Sequence, residues 1–203
     1  MRRMGRRIAG LLLATALTAG CTATATDLPS VTATVTVRSA TPTPTPTPSG
    51  GAQNPTDPTL GIVFAPAPDL HGDEADVYNL IAAFEHEDWS TMKTGKVSPA
   101  FVVIASAEVQ AQAQAAVDWS VQHGAVFGGV RHERIDSIVV NGATASGSAC
   151  RDYAEATFAD ATRTYGTPAE AGFGQPFLME MTLARDSASG LWKVMTLKEN
   201  GTC

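Results

Sequence analysis

Aromatic residues make up only 6% of the 203-residue chain, charged residues 17%, and cysteine occurs three times. Basic charge is scarcer than its total suggests, because four of the 14 Lys and Arg (Arg2, Arg3, Arg6, Arg7) fall in the first seven positions, leaving 10 against 20 acids. A chain that acidic cannot neutralise a phosphate backbone, which excludes a nucleic-acid binder and electrostatic adhesion to anionic lipid. Long apolar runs are also missing. The longest, Ile8 to Leu17, falls well short of the roughly 20 residues that cross a bilayer. No Gly-Lys-Ser/Thr loop, nucleophile-elbow serine or His-Glu-x-x-His occurs, which removes the common phosphate-binding, hydrolase and zinc-protease signatures. Gly172-Phe173-Gly174 lacks the third glycine of a dinucleotide fingerprint and reads as loop.

What is present begins with an address. Arg2 to Arg7 form a basic region and Ile8 to Leu17 an apolar one, followed by Leu17-Thr18-Ala19-Gly20-Cys21. This order is that of a secretory signal, and small residues before a cysteine resemble the bacterial lipobox, with Thr18 at the position where Leu is usual. The resemblance implies cleavage between Gly20 and Cys21 and a diacylglyceryl group on the Cys21 thiol. Residues 1–20 are then a signal peptide, and the protein is held at the extracytoplasmic face of the cell membrane by acyl chains, since two or more chains anchor stably. An ordinary secretory signal with Cys21 incidental is the alternative.

From Thr22 to about Pro68, Thr, Pro, Ala and Ser dominate, and Thr41 to Pro48 is a strict Thr-Pro repeat. Proline removes donors and fixes φ, so residues 21–69 are expected to be a disordered or polyproline-II tether carrying the lipidated cysteine. Leu60 to Phe64 is an apolar island within it that either docks as an edge strand or binds nothing.

Residues 70–203 are long enough for one core. Asp73, Glu74 and Asp76 suit a first helical turn. Val77, Leu80, Ile81 and Phe84 then recur at helical spacing, predicting an amphipathic helix to about Met92. Ser106 is the expected N-cap of a second helix ending at His123, with Gly124 as its stop. Its apolar stripe is Val109, Ala113, Ala116, Val117 and Val121. Beyond Gly124 the period approaches two. Residues 125–140 read as one bent strand, and Asn141-Gly142 as the centre of a type I′ hairpin turn. Strands are expected again at 143–153, at Phe177 to Leu183, and at Leu191 to Leu197 after a turn at Asp186 to Gly190. Helices followed by antiparallel strands make an α+β domain.

Tyr78 and Phe84 in the first helix, the pair around Asn141-Gly142, Cys150-Arg151-Asp152, the Gly190-Leu191-Trp192-Lys193-Val194 strand and the terminal Cys203 together resemble actinobacterial lipoproteins of NTF2-like (nuclear transport factor 2-like) fold. That resemblance implies a cone, a curved antiparallel sheet packed on N-terminal helices. Most members have no known activity, so it implies a fold rather than a function. With Cys21 lipidated, Cys150 and Cys203 remain outside the cytoplasm with one possible connectivity; two free thiols are the alternative. Neither has the CxxC or nearby His of a metal site.

Candidates for chemistry are few. Glu85-His86-Glu87-Asp88 has metal-ligating residue types, but consecutive helical residues diverge by about 100° and cannot converge on one ion, so it reads as a solvated face. Enzymes of the resembled fold work inside the cone with an Asp or His base and a Tyr or Asp donor, for which Tyr78, Asp118, His132, Asp152 and Tyr153 are the candidates; none matches a catalytic motif. Arg151 and Asp152 more simply flank a disulfide, and His132 with Glu133 reads as an exposed bulge. Tyr78, Trp119, His132, Tyr153 and Met179 are the candidate pocket residues, with Phe177 beside them. No metal, cofactor or catalytic residue is expected. The leading expectation is a non-catalytic envelope module contacting another protein or a wall polymer. A small-molecule carrier or sensor is the alternative, and a cryptic hydrolase, dehydratase or isomerase comes third. A solid interior favours the first, and a deep cavity of roughly 300 Å³ or more with few polar groups the second.

Overall fold

The computed structural model describes residues 50–203. The expected signal peptide, Cys21 and the Thr-Pro repeat lie outside the described residues. Eight helices and strands follow in the order β1 (Ile62–Phe64), α1 (Gly72–Thr94), α2 (Phe101–Ile104), α3 (Ala107–His123), β2 (Val126–Asn141), β3 (Thr144–Ala159), β4 (Phe177–Arg185) and β5 (Trp192–Thr202). This is an α+β architecture with one five-stranded sheet in sequence order. Among the described residues, no helix is long and apolar enough to cross a membrane.

The helix ends follow their local chemistry. Ser106 Oγ accepts from Val109 N at 3.3 Å and donates to the Met195 carbonyl, so the N-cap of α3 also ties that helix to β5. Gly95 and Gly124 close α1 and α3 in the left-handed region, at φ 63° and 61°. The stretch between the long helices, ambiguous by pattern, holds the single turn of α2. The face of α1 carrying Val77, Ile81, Phe84 and Trp89 packs on the sheet against β2, β3 and β5.

Strands β2 to β5 run antiparallel, and breaks in register at Val130/His132 and Asp136/Val139 bend β2. Its hairpin to β3 differs from expectation. Asn141 pairs with Thr144, so Gly142 and Ala143 are the central residues, and of the two only Gly142 has positive φ. That is the pattern of a type II′ turn, because glycine sits first rather than second. Strand β5 extends to Thr202 and ends beside the Cys150–Cys203 disulfide, whose Cα atoms are 6.0 Å apart.

The boundary between tether and domain needs correcting. Residues 51–69, expected as tether, are part of the fold, and β1 docks as an edge strand parallel to β2. Composition misleads here because polar side chains replace helix or long-strand pairing. Thr56 Oγ1 accepts from Phe64 N, and Gln53 N donates to Asn79 Oδ1. Gly61 supplies the closest approach: its carbonyl accepts from Trp89 Nε1 at 2.9 Å and from Arg131 N at 3.0 Å.

Candidate functional site

A strand shows one face at every second residue. In β2 this places Arg131, Glu133 and Ile135 towards the helices, and in β3 Arg151 and Tyr153. On α1, Glu85 and Asp88 are three apart and share a face, so both turn inward. The result is a buried charge cluster. Arg151 holds Glu85 through two bonds, Nε to Oε2 at 2.8 Å and Nη2 to Oε1 at 3.0 Å. Arg131, with no exposed surface, donates from Nη2 to Glu85 Oε2 at 3.1 Å and from Nη1 to Asp88 Oδ2 at 2.8 Å. The Arg131 guanidinium also lies 5.1 Å from the centre of the Trp89 ring and 5.9 Å from that of Tyr153.

Three carboxylates thus face two guanidiniums, and Glu133 is the one left over. Its Oε1 lies 2.5 Å from Arg131 Nε, yet neither Glu133 oxygen nor that nitrogen makes an aligned hydrogen bond. Burial pushes the Glu133 carboxyl well above its usual range, against the pull of Arg131. Burial also opposes ionisation of Asp88, but Arg151 and Arg131 outweigh it and hold that carboxyl below its ordinary value. The Tyr153 hydroxyl is raised, chiefly by burial.

This cluster corrects three expectations. Glu85 and Asp88 are not a solvated face; only His86 and Glu87 of that run turn away. Glu133 is not on an exposed bulge but is 2% exposed, while its neighbour His132 faces outward near Glu155. Arg151 does more than flank the disulfide. The missed signal lies in spacing: Glu85 and Asp88 stand four residues after Ile81 and Phe84, within the apolar stripe, and Arg131 and Glu133 alternate into the buried face that Ile135 continues.

Beside the cluster, between α1, α3 and strands β3 to β5, is a cavity of about 290 Å³, partly open to solvent. Its walls are mostly apolar, among them Phe84, Phe101, Val109, Phe173, Phe177 and Met179. Asp88, Arg151 and Tyr153 line it where it meets the charge cluster. Phe173 arrives from the loop after the 3₁₀ turn at Pro168–Ala171 and stacks on Phe158 at 4.4 Å between ring centres.

Of the expected pocket residues, Tyr153 and Met179 line this cavity, as does Phe177. The other three do not. Tyr78 is packed in the core, because its place in the stripe of α1 points it into the sheet. Trp119 is 54% exposed and stacks on His123, since it falls on the solvent side of α3. Val121, assigned to the apolar stripe, is likewise exposed, and His132 lies on the outer face of the sheet. Of the expected acid–base candidates, Asp118 bonds Gln114 on the surface, and Asp152 accepts from Ala154 N. The structure brings no two of those five together in the cavity. Instead Tyr153 and Asp88 both line it, the first group's pKa raised and the second's lowered from its ordinary value. Among the described residues, no group of three or more His, Cys, Asp or Glu could hold a metal ion.

Comparison with known proteins adds little. No known family profile matches the chain, and no curated protein does. Among solved structures, the intermembrane space region of the chloroplast protein ARC6 superposes with a TM-score of 0.46 at 12% identity, covering 66% of this chain and 100% of that one. Similarity at that level carries no argument about function.

Proposed function

We propose that the protein is a membrane-anchored, extracytoplasmic binding module of NTF2-like fold whose cavity takes a small, largely apolar ligand. The cavity of about 290 Å³ carries the proposal: its size and apolar walls with few convergent polar groups are those of a small-molecule site. It favours the carrier or sensor over the protein- or wall-contacting module. The lipobox-like Cys21 and the Cys150–Cys203 disulfide both support an oxidising, extracytoplasmic location. The bend of the sheet over α1 and α3 supports the cone-like fold.

Proton transfer fits less well. A general acid–base pair works best with values near the operating pH, whereas Asp88 is held low and Tyr153 high. The test is native mass spectrometry of the full chain from an actinobacterial host, first under gentle and then under denaturing conditions. A defined extra mass released on denaturation is expected. A clean apo mass at every step, together with no shift in melting temperature across a panel of apolar metabolite extracts, overturns the carrier reading.

A further inference from the structure

The walls of the cavity say that the ligand is apolar, but its polar end is more selective. Tyr153 is 4% exposed, and its hydroxyl neither donates nor accepts a hydrogen bond among the described residues, although it lines the cavity. That hydroxyl is not sealed off from the partly open cavity, so a ligand atom there would take the place of water as its hydrogen-bond partner. Asp88 lines the same space. Its Oδ2 is shared between Arg131 Nη1 at 2.8 Å and Arg151 Nη1 at 3.3 Å, while Oδ1 makes no hydrogen bond among the described residues. The polar lining therefore offers one acceptor, Asp88 Oδ1, and one group that both donates and accepts, Tyr153 Oη.

Charge narrows the choice. A carboxylate head would meet Asp88 at contact distance. Arg151, the only guanidinium lining the cavity among the described residues, is already held by Glu85 through two bonds. Glu199 on β5, also lining the cavity, adds a further negative charge. An ammonium head would be drawn to Asp88, but that carboxylate is already shared by two guanidiniums, which repel a third cation. A neutral hydroxyl meets neither obstacle. It has a proton to give Asp88 Oδ1 and a lone pair to take the Tyr153 Oη–H.

Building on the proposal that the cavity is a ligand site, we infer that it selects neutral apolar alcohols or phenols, recognised by Asp88 and Tyr153, over their carboxylate and ammonium analogues. The experiment uses the full chain carrying Cys21→Ser, exported so that its disulfide forms and free of the detergent an acylated chain would need. Four probes share one skeleton: 2-naphthol, naphthalene, 2-naphthoate and 2-naphthylmethylammonium. Their affinities are measured at neutral pH by fluorescence and calorimetry. The hydroxyl should bind roughly tenfold tighter than naphthalene, as expected of hydrogen bonds that include a charged acceptor, and both ions should bind more weakly than the hydroxyl.

Tyr153→Phe, which keeps the ring, should shrink the gap between naphthol and naphthalene at least threefold. Ala113→Phe, which fills the cavity wall, should abolish binding of all four, and a circular dichroism spectrum matching the parent reports that it folds. If that variant unfolds, loss of bound naphthol on adding excess naphthalene serves as the test of a shared site. Equal affinity for all four probes, or preference for either ion, overturns the inference about the head group while leaving the cavity as a binding site. Failure of every probe, naphthalene included, overturns both.

Discussion

At the scale of single residues, Glu133 is where the charge cluster fails to close. Two guanidiniums can neutralise Glu85 and Asp88, and the third carboxyl sits in the same dry space with both oxygens lacking an aligned bond. Burial raises the Glu133 carboxyl above its ordinary value of 4.5. An acid shifted in that direction binds more protons in the folded state than in the unfolded one, so its contribution is complete below pH 4.5 and declines as pH rises towards the folded value. Asp88 acts in a separate window. Its carboxyl is depressed below 3.8, so its contribution is present above that pH and is lost only in stronger acid. Glu133→Gln keeps the shape and removes the titration. Melting temperatures measured from pH 4.5 to 8 should fall for the parent and fall less for the variant, which should equal or exceed the parent at pH 8. A variant that is markedly less stable at pH 8 would show instead that Glu133 is an ionised partner of Arg131. Replacing Arg131 itself strands buried carboxylates, and breaking such a pair costs about 3–5 kcal/mol.

At the scale of elements, β1 shows how three residues acquire a fixed place. Gly61 has φ 74°, and a Cβ there would stand 2.3 Å from the Gly129 carbonyl oxygen. The tight approach lets Trp89 Nε1 and Arg131 N reach the Gly61 carbonyl. Gly61→Ala should therefore cost about 1–3 kcal/mol from backbone conformation alone, with the clash added. Urea denaturation should show it, and amide exchange should quicken at Phe64 and Ala65 before the rest of the sheet. Undiminished stability would mean that β1 is not held as described. The long helices were legible because their signals are local: the Ser106 cap, the Gly124 stop and the stripe of α1 need no partner to be read. Strand β1 was legible only as one of two alternatives, an apolar island that docks as an edge strand or binds nothing, because its pairing to β2 depends on residues far along the chain and its surroundings have the composition of a linker. The site divides in the same way. Tyr153 and Met179 were legible as apolar residues alternating along strands. Glu85, Asp88, Arg131 and Arg151 were not, because charge alone assigns a side chain to water, and only the fold shows that these charges have one another.

At the scale of the whole molecule, the cavity is closed on one side by the least secured part of the sheet. Strand β5 is an edge, and its last residues are mostly exposed, yet Leu197 and Glu199 line the cavity. What fixes that end is the bond from Cys203 to Cys150 in the middle of β3, which closes a loop across 53 positions. By chain-entropy reasoning a loop of that length destabilises the unfolded state by about 4 kcal/mol. Stability and site geometry therefore share one covalent tie. Cys203→Ser paired with Cys150→Ala, or reduction of the parent, should lower the urea midpoint by an amount equivalent to about 2–4 kcal/mol. The loss should be uneven. Amides at Glu199 to Thr202 should exchange fastest, since Thr202 pairs with Phe177 only beside the disulfide, while those of α1 and β2 should keep their order of protection. Ligand affinity measured on the same samples should fall with reduction, because the wall formed by Leu197 and Glu199 loosens before the domain unfolds. A reduced protein with unchanged affinity and uniform loss of protection would show that the disulfide acts on the unfolded chain alone and that β5 holds its place by pairing with β4.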